Sequence, residues 1–513
     1  MARWAKAPMD RHQVTMFSPT LDAMVSEDHP VRLFEEILSG EDWRSWENYY
    51  VLVAGQPPIH PRVVASVLLY GMAQGIRSSR RLEWACRNAI DFMWLAEGRT
   101  IDHSTFCSFR TDFRVPLKGL FQRLVGLAMD MGMVQLGQIA LDGTKVKANS
   151  SRHATARAKT LQERLEALDK RIEEMMAQAE TADQQEDELF EGRSTQKLPR
   201  ELADVKRRQQ RLAEALQKAQ AKGDSKAVPV ADPQSTVAPN KEGGFAPNYT
   251  PAVAVDGQCG IVVATDVLEG SDETTAVLPL VDQVQENTGQ MPQQALADSG
   301  LNSGPNLQGL ADRQVEAFIP SATRVDTADN PARREKLDEP VPSEQWDRLP
   351  LDKATKRLGR TAFVYDAGQD CYWCPMGKRL GYEGIKKKWP EKGVVLELRH
   401  YACRQCEGCP LKKRCIKASD TARSIDRDAY EPYREAMDLR LYSPRGQAIY
   451  RQRAGCVEGT FGTVKSTLGL RQFLVRGLEK VRVEWLWACS ALNLKKMVGA
   501  LAAQRATGGL AGV

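Results

Sequence analysis

The sequence predicts a mixed α/β protein with three additions to a core of strands and C-terminal helices. These are a helical N-terminal domain, a coiled-coil hairpin insertion and a Cys-rich insertion. Three observations lead there. Residues 1–136 follow a helical apolar period. Short apolar strands ending in single acids start at Gln138 and return at Tyr249. Six of the 11 cysteines fall between Cys371 and Cys415. With 513 residues the chain is long enough for roughly three domains. Its 42% hydrophobic and 27% charged residues exclude a disordered tail protein. The longest apolar run, Val63 to Ala73, is far short of the ~20 residues that cross a bilayer, so no membrane partner is expected. The N-terminus lacks an apolar signal core, which predicts a cytoplasmic protein with thiols or metal ligands rather than disulfides. Nucleotide-binding glycine loops are absent from the sequence.

In the first domain, Pro61 is placed to open a helix whose face includes Val64, Val67, Leu68 and Met72. Asp102 is placed to cap another. An Arg-rich face (Arg77, Arg80, Arg81, Arg87) permits a DNA-binding module over 1–136, and a solvated helix face reads equally well. The core begins with residues 137–150 and resumes over 249–325. Between them, Leu161, Leu165, Leu168, Ile172 and Met175 step by heptad spacing. A second run passes through Leu202, Val205, Gln209, Leu212 and Leu216. Together they predict a coiled-coil hairpin over 151–225, its helices joined by an acidic, Gly-containing loop. Residues 226–248, rich in Pro, Asn and Gly, read as a linker. Residues 326–425 form the Cys-rich, basic insertion. The stretch 426–505 supplies two long helices, expected at Arg445–Leu470 and Val481–Leu501, and the tail from Ala506 reads as disordered.

Three acids follow apolar strands: Asp142 after Ile-Ala-Leu, Asp256 after Val-Ala-Val and Asp298 after Ala-Leu-Ala. A hairpin turn accounts for Asp256, which precedes Gly257 between two strands. Asp142 and Asp298 have no such role, although a strand-end Asp is often only a cap. Glu458 borders the apolar face Ala454, Val457, Phe461, Val464 of a later helix. Arg451 and Lys465 lie two turns away on its own side. Three carboxylates from two strand ends and a helix can hold two Mg²⁺ ions about 3.5–4 Å apart, the arrangement that clamps both oxygens of a phosphodiester displacement.

Six stretches then carry a resemblance. They are Asp102-His-Ser-Thr-Phe-Cys-Ser-Phe-Arg110, Leu141-Asp142-Gly-Thr-Lys-Val-Lys-Ala-Asn149, Ala297-Asp298-Ser-Gly, Val457-Glu458-Gly-Thr-Phe-Gly-Thr-Val-Lys465, Arg476-Gly-Leu-Glu-Lys-Val-Arg482 and Ala491-Leu-Asn-Leu-Lys-Lys496. In this order the chain resembles the DDE transposases of bacterial insertion sequences, in the branch with a helical N-terminal domain and both insertions. The resemblance implies an RNase H-like catalytic core with Asp142, Asp298 and Glu458 as its triad. It implies two Mg (or Mn) ions, DNA partners in the form of element ends and target, and a homodimer on DNA in the bacterial nucleoid. It also implies a Tyr, Arg, Glu, Lys signature, which Tyr450, Glu458 and Lys465 fit. Arg453 stands five residues before Glu458 where four is usual, and Arg451 aligns better on an ideal helix. Cleavage followed by strand transfer is the expected activity. An RNase H-like nuclease that does not join, or a catalytically silent DNA-binding relative, are the alternatives.

The cysteines are spaced Cys371-x2-Cys374 and Cys403-x2-Cys406-x2-Cys409-x5-Cys415. Paired thiolates of this kind fit tetrahedral structural Zn²⁺. Cys371, Cys374, Cys403 and Cys406 are the first choice, with Cys409 and Cys415 replacing the second pair or sharing a second ion. His400 is a further candidate. Free buried thiols, or an iron–sulfur cluster, are the competing readings. The net charge of +5 conceals clustering: residues 371–420 carry +7 and residues 445–482 carry +6. Lys386, Lys387 and Lys388 suit phosphate contacts.

Overall fold

The computed structural model describes residues 19–50, 57–189, 200–223, 227–239, 244–391 and 394–506. The Gly-containing part of the expected hairpin loop (190–199) and the tail from 507 lie outside them. The chain forms two compact units. One comprises residues up to Leu124, Val464–Gly469 and residues from Leu486 on. The other comprises Val125–Thr463 and Leu470–Trp485.

The first unit is helical: α1 (Pro30–Ser39), α2 (Arg44–Glu47), α3 (Pro61–Ala73), α4 (Ser79–Asn88), α5 (Ile90–Leu95), α6 (His103–Asp112) and most of α7 (Arg114–Asp130). Pro61 occupies the first turn of α3, and the His60 side chain accepts from the Arg62 N–H. Because α3 is apolar on every side, it is buried along nearly its whole length and becomes the central helix. A Cβ at Gly71 would collide with Leu82 Cδ2, so this glycine lets α4 close onto α3. Asp102 caps α6, accepting from the Ser104 N–H at 2.7 Å. Trp46 stacks on Phe109 and Phe113 with centroids 5.6 and 5.3 Å apart, and Trp487 closes the cluster by donating to the Arg110 carbonyl.

The second unit opens with β1 (Gln138–Gly143), β2 (Val146–Lys147) and β3 (Thr155–Ala156), then α8 (Ala158–Leu189) and α9 (Arg200–Lys222). The facing sides of α8 and α9 bury Leu161, Leu168, Ile172, Leu212 and Ala215. The residues read as a linker instead hold β4 (Val228–Pro229) and β5 (Thr236–Pro239). β4 pairs with β3, and β5 pairs with the start of β6 (Phe245–Asp256). Proline is tolerated in β5 because it lies at a strand end on the sheet edge. Asp232 in this segment is buried and accepts from Tyr249 Oη at 2.7 Å and the Gly477 N–H at 3.2 Å. A folded segment with a buried acid is the correction to the linker reading.

β7 (Val262–Leu268), α10 (Val277–Thr288), β8 (Gln294–Ala297), α11 (Gly304–Asp312) and β9 (Glu316–Phe318) complete the core. Five strands run in the order β7-β6-β1-β8-β9, with β2 and β5 paired along the far half of β6. β6 is antiparallel to β1 and β7, while β1, β8 and β9 are parallel. Ile139–Leu141, Val253–Val255 and Ala295–Ala297 are all buried, as near-continuous apolar strands covered on both faces should be. Asp256 is buried in the β6–β7 turn and accepts from the Leu136 and Gln258 N–H groups at 3.0 and 2.9 Å.

The Cys-rich region forms its own sheet, β10 (Val364–Asp366), β11 (Cys371–Trp373), β12 (Arg379–Glu391), β13 (Val394–Cys403) and β14 (Arg423–Arg427), with the short α12 (Lys412–Cys415). A buried ion cluster joins it to α13 (Glu431–Tyr442). Glu431 accepts from Arg324 at 2.5 Å and Arg360 at 2.6 Å, and Arg324 also reaches Asp438 at 2.5 Å. α14 (Pro444–Arg451), α15 (Arg453–Ser466) and α16 (Leu478–Ala506) end the described chain. The single helix expected over 445–470 is therefore broken at Gln452, whose side chain accepts from Gln138 Nε2 at 2.6 Å.

Candidate metal and phosphate site

β1 and β8 are neighbours in parallel register, with Leu141 opposite Ala297. Asp142 and Asp298, one residue further on, therefore leave the same end of the sheet on the same face. Both are half-buried. Asp142 Oδ1 accepts from the Gly143 N–H at 2.8 Å, and Asp298 Oδ1 accepts from the Gly300 N–H at 2.9 Å as the cap of the turn Ser299–Leu301. The end of β1 and the Ser299–Leu301 turn fix the two carboxylates.

A third acid joins them that the sequence reading missed. Glu273 follows the capping Asp272 in the turn after β7. Burial pushes its carboxyl up, and the negative Asp142 and Asp298 push it further, with Lys145 opposing. A Cβ at Gly143 would stand 2.9 Å from Glu273 Cδ, so only glycine admits this side chain beside Asp142. Asp142, Gly143, Glu273 and Ala276 line one small pocket. The only sequence cue was the Asp272-Glu273 pair a few residues after β7.

Arg453 Nη2 donates to Asp142 Oδ2 at 2.9 Å, and its Nε is buried without a hydrogen-bond partner among the described residues. Tyr450 is half-buried nearby. Burial raises its phenol, which also feels Arg453, Asp298 and Asp142. Arg451 is exposed in α14. The break at Gln452 separates the two arginines, and it is Arg453 that turns to the strand ends.

Glu458 is exposed on α15. The buried stripe of that helix is Val457, Thr460 and Val464, in line with Arg453. Five residues beyond Arg453, Glu458 lies well round the helix from that stripe. Among the described contacts the structure brings Asp142, Asp298, Glu273, Tyr450 and Arg453 together. Lys465 is half-buried in the last turn of α15.

Lys386, Lys387 and Lys388 are exposed on β12. Two of them make only long ion pairs, to Asp426 at 3.8 Å and Glu397 at 3.7 Å. Cys374, Cys403, Cys406, Cys409 and Cys415 line one cavity. Cys371 does not line it. The strand Cys371–Trp373 replaces the tight turn that a shared ion would need, and the Cys371 thiol lies by Arg379, Asp366 and Asp370. His400 bonds Asp426 through Nδ1 at 2.6 Å. Elsewhere, Glu83, Asp102 and His103 place ligand atoms within 4.8 Å of one another, but capping of α6 already engages Asp102.

Two family models match the chain. One, described as a transposase DDE domain, covers residues 373–498. The other, described as a transposase domain, covers residues 19–112. The chain belongs to the DDE-type transposases of insertion sequences. Glu458 lies inside the first matched segment of this transposase, whereas Asp142 and Asp298 lie outside both. No curated protein matches it. A solved structure, the cryo-EM structure of a piggyBac transposase synaptic complex with hairpin DNA, is similar at 10% identity and a TM-score of 0.32. That likeness covers 93% of this chain and 72% of the other. No helix among the described residues is long and apolar enough to cross a membrane.

Proposed function

We propose that this transposase cleaves DNA at the ends of an insertion sequence and joins the freed 3′ ends to target DNA. The observation that carries the reading is the in-register pair of strand-end carboxylates, Asp142 and Asp298, with Arg453 held against one of them. The strand order β7-β6-β1-β8-β9, with only its first three strands antiparallel, supports an RNase H-like core. Cleavage without joining, and DNA binding without chemistry, are the competing outcomes.

The donor chemistry, carboxylates at two strand ends and a turn, suits a divalent cation, and the oxygens of Asp142, Asp298 and Glu273 would have to close from a spread wider than 4.8 Å to share one. Glu273 is pushed up partly by the negative charge of Asp142 and Asp298, and Arg453 is the base that pairs with Asp142. Asp142 and Asp298, with Glu273 beside them and Glu458 as the third acid that the resemblance implies, would hold Mg²⁺ or Mn²⁺. When bound, the metal would make water nucleophilic and neutralise charge on the leaving oxygen. The chain's own residues do the rest. The Gly143 and Gly300 N–H groups hold the carboxylates still. Arg453 Nε is left to donate to a phosphate oxygen, and Tyr450 walls the site on the helix side. Lys386, Lys387 and Lys388 on the β12–β13 ribbon would meet phosphates of duplex DNA, and Lys465 would do so separately. Two copies would pair two element ends.

Mn²⁺- or Mg²⁺-dependent nicking of DNA carrying the element's own terminal repeats tests this. Specific 3′-OH formation followed by joined product is expected. Nicking without joined product under all metal conditions points to the nuclease, and binding without nicking to the silent relative. Asp142→Asn that still cuts at the wild-type rate ends the assignment.

A further inference from the structure

We propose that Cys374, Cys406, Cys409 and Cys415 bind one structural Zn²⁺ at the root of the β12–β13 ribbon. The four thiols come from three short loops that meet there. Cys374 directly follows β11, Cys406 and Cys409 lie in the loop after β13, and Cys415 ends α12. All four line a cavity of about 30 Å³. That is room enough for one ion.

The local backbone is built as two matching turns. In Cys374-Pro-Met-Gly377-Lys378 the Lys378 N–H donates to Cys374 Sγ at 3.3 Å, and Gly377 takes φ +67°. A side chain there would also strike the Asp338 carbonyl oxygen, so glycine is required on both counts. In Cys406-Glu-Gly408-Cys409 the Cys409 N–H reaches the Cys406 carbonyl at 3.4 Å, and Gly408 takes φ +68°. Turns of this shape let the sulfurs face inward and supply N–H groups to a thiolate. The sulfurs are not yet within 4.8 Å of one another in threes. A single χ1 rotation moves a sulfur by roughly 2–3 Å, which is enough to close the set.

A buried basic group gives a second reason. Arg423 stands ready as the outer counter-charge of an all-thiolate site. It lines the same cavity, packs 4.7 Å over Phe363, donates to the Cys415 carbonyl at 3.0 Å, and keeps its Nε buried without a partner among the described residues.

Cys403 lines the same cavity but is placed outside the ligand set because it belongs to β13 and to neither of the two turns. It is nearly fully buried, and its thiol neighbours include Cys406 and Cys374. Cys371 belongs to the opposite end of β11. The ion would therefore staple the loops at one end of this sheet to one another, and would set the root from which Lys386–Lys388 project.

The test is metal analysis of the full chain, purified with a reductant and without chelator, then refilled with Zn²⁺ and desalted. One zinc per chain is expected for wild type, Cys371→Ser and Cys403→Ser, and a loss of at least about tenfold for Cys409→Ser and Cys415→Ser. A wild-type chain with less than about a tenth of an ion, or one holding iron and sulfide instead, overturns the site. So does a Cys371→Ser or Cys403→Ser chain that folds and loses its zinc. If the ligand variants fail to fold, Co²⁺ substitution of the wild type decides. Intense tetrahedral thiolate bands support the site, and weak octahedral bands or no uptake overturn it.

Discussion

The strand ends of the core sheet and the Cys-rich region solve the same problem in opposite ways. At the strand ends, backbone register does the positioning: β1 and β8 are fixed by their ladder, and Asp142 and Asp298 follow from it. In the Cys-rich region side chains do it. Glu431 gathers Arg324, Arg360 and Arg434 in a buried cluster, and five thiols share one cavity. Positions set by a hydrogen-bonded ladder tolerate side-chain change. Positions set by buried charge fail when one partner is removed.

The largest expected contrast is in catalysis. Asp142→Asn or Asp298→Asn should lower end cleavage by at least about 10³-fold while leaving thermal stability and end binding near wild type. Gel assays of nicking and binding on the same preparation read both. Glu273→Gln and Glu458→Gln belong in the same assay. A loss for Glu458→Gln of comparable size shows that α15 brings its acid to the strand ends, and an unchanged rate for Glu273→Gln removes it from the site.

The reverse pattern is expected across the ion cluster. Glu431→Gln should cost about 3–5 kcal/mol of stability in denaturant unfolding, because it strands buried arginines. Asp438→Asn should cost much less. Burial raises both carboxyls, but Arg360 and Arg324 outweigh it at Glu431 and hold that group at about 2. At Asp438 burial wins over Arg324, leaving it at about 6. The signs follow by linkage. Glu431 contributes stability above its unfolded pKa near 4.5, lost as pH falls towards 2. Asp438 is protonated more readily in the fold, so its share of stability rises as pH falls from about 6 towards 4 and is absent above about 6. Asp438→Asn should erase that gain over the same interval. An unchanged profile for the variant would place the proton elsewhere.

Arg453→Ala should lower cleavage by about 10–100-fold, as expected for loss of a group that orients a ligand, whereas Arg451→Ala should not. Equal effects would break the distinction that the helix break draws between them. The smallest effect is expected at the ribbon. Alanines at Lys386–Lys388 should weaken DNA binding evenly across sequences and flatten its salt dependence by about one unit of log–log slope for each lysine that meets a phosphate. An unaltered slope would make these lysines solvated charge.

The same contrast explains what was legible in the sequence. Asp142 and Asp298 stand out because an apolar run ends abruptly in an acid, a signal confined to a few neighbouring residues. The N-terminal helices and the hairpin were legible from periodicity, and Asp102 from capping chemistry. Glu273 was not, because a short turn of 3₁₀ type has no period to reveal its face. The break at Gln452 was hidden for a related reason: apolar spacing continues across it, and the bond to Gln138 spans 314 residues of sequence. β5 was concealed by its proline, Pro239, which edge pairing tolerates. Cys371 misled because a Cys-x-x-Cys pair predicts a turn, and residues 371–373 form a strand instead.

The two-residue ladder between β3 and β4 brings Ala156 opposite Val228, and the Val230 N–H bonds the Ala154 carbonyl at 2.9 Å. The long hairpin thus departs and returns through a single gate. Joining the two strands by a tight turn would delete roughly 70 residues at little loop-closure cost, because the ends already touch. The hairpin is therefore a detachable module, and a shortened chain offers a compact scaffold on which a different arm can be grafted.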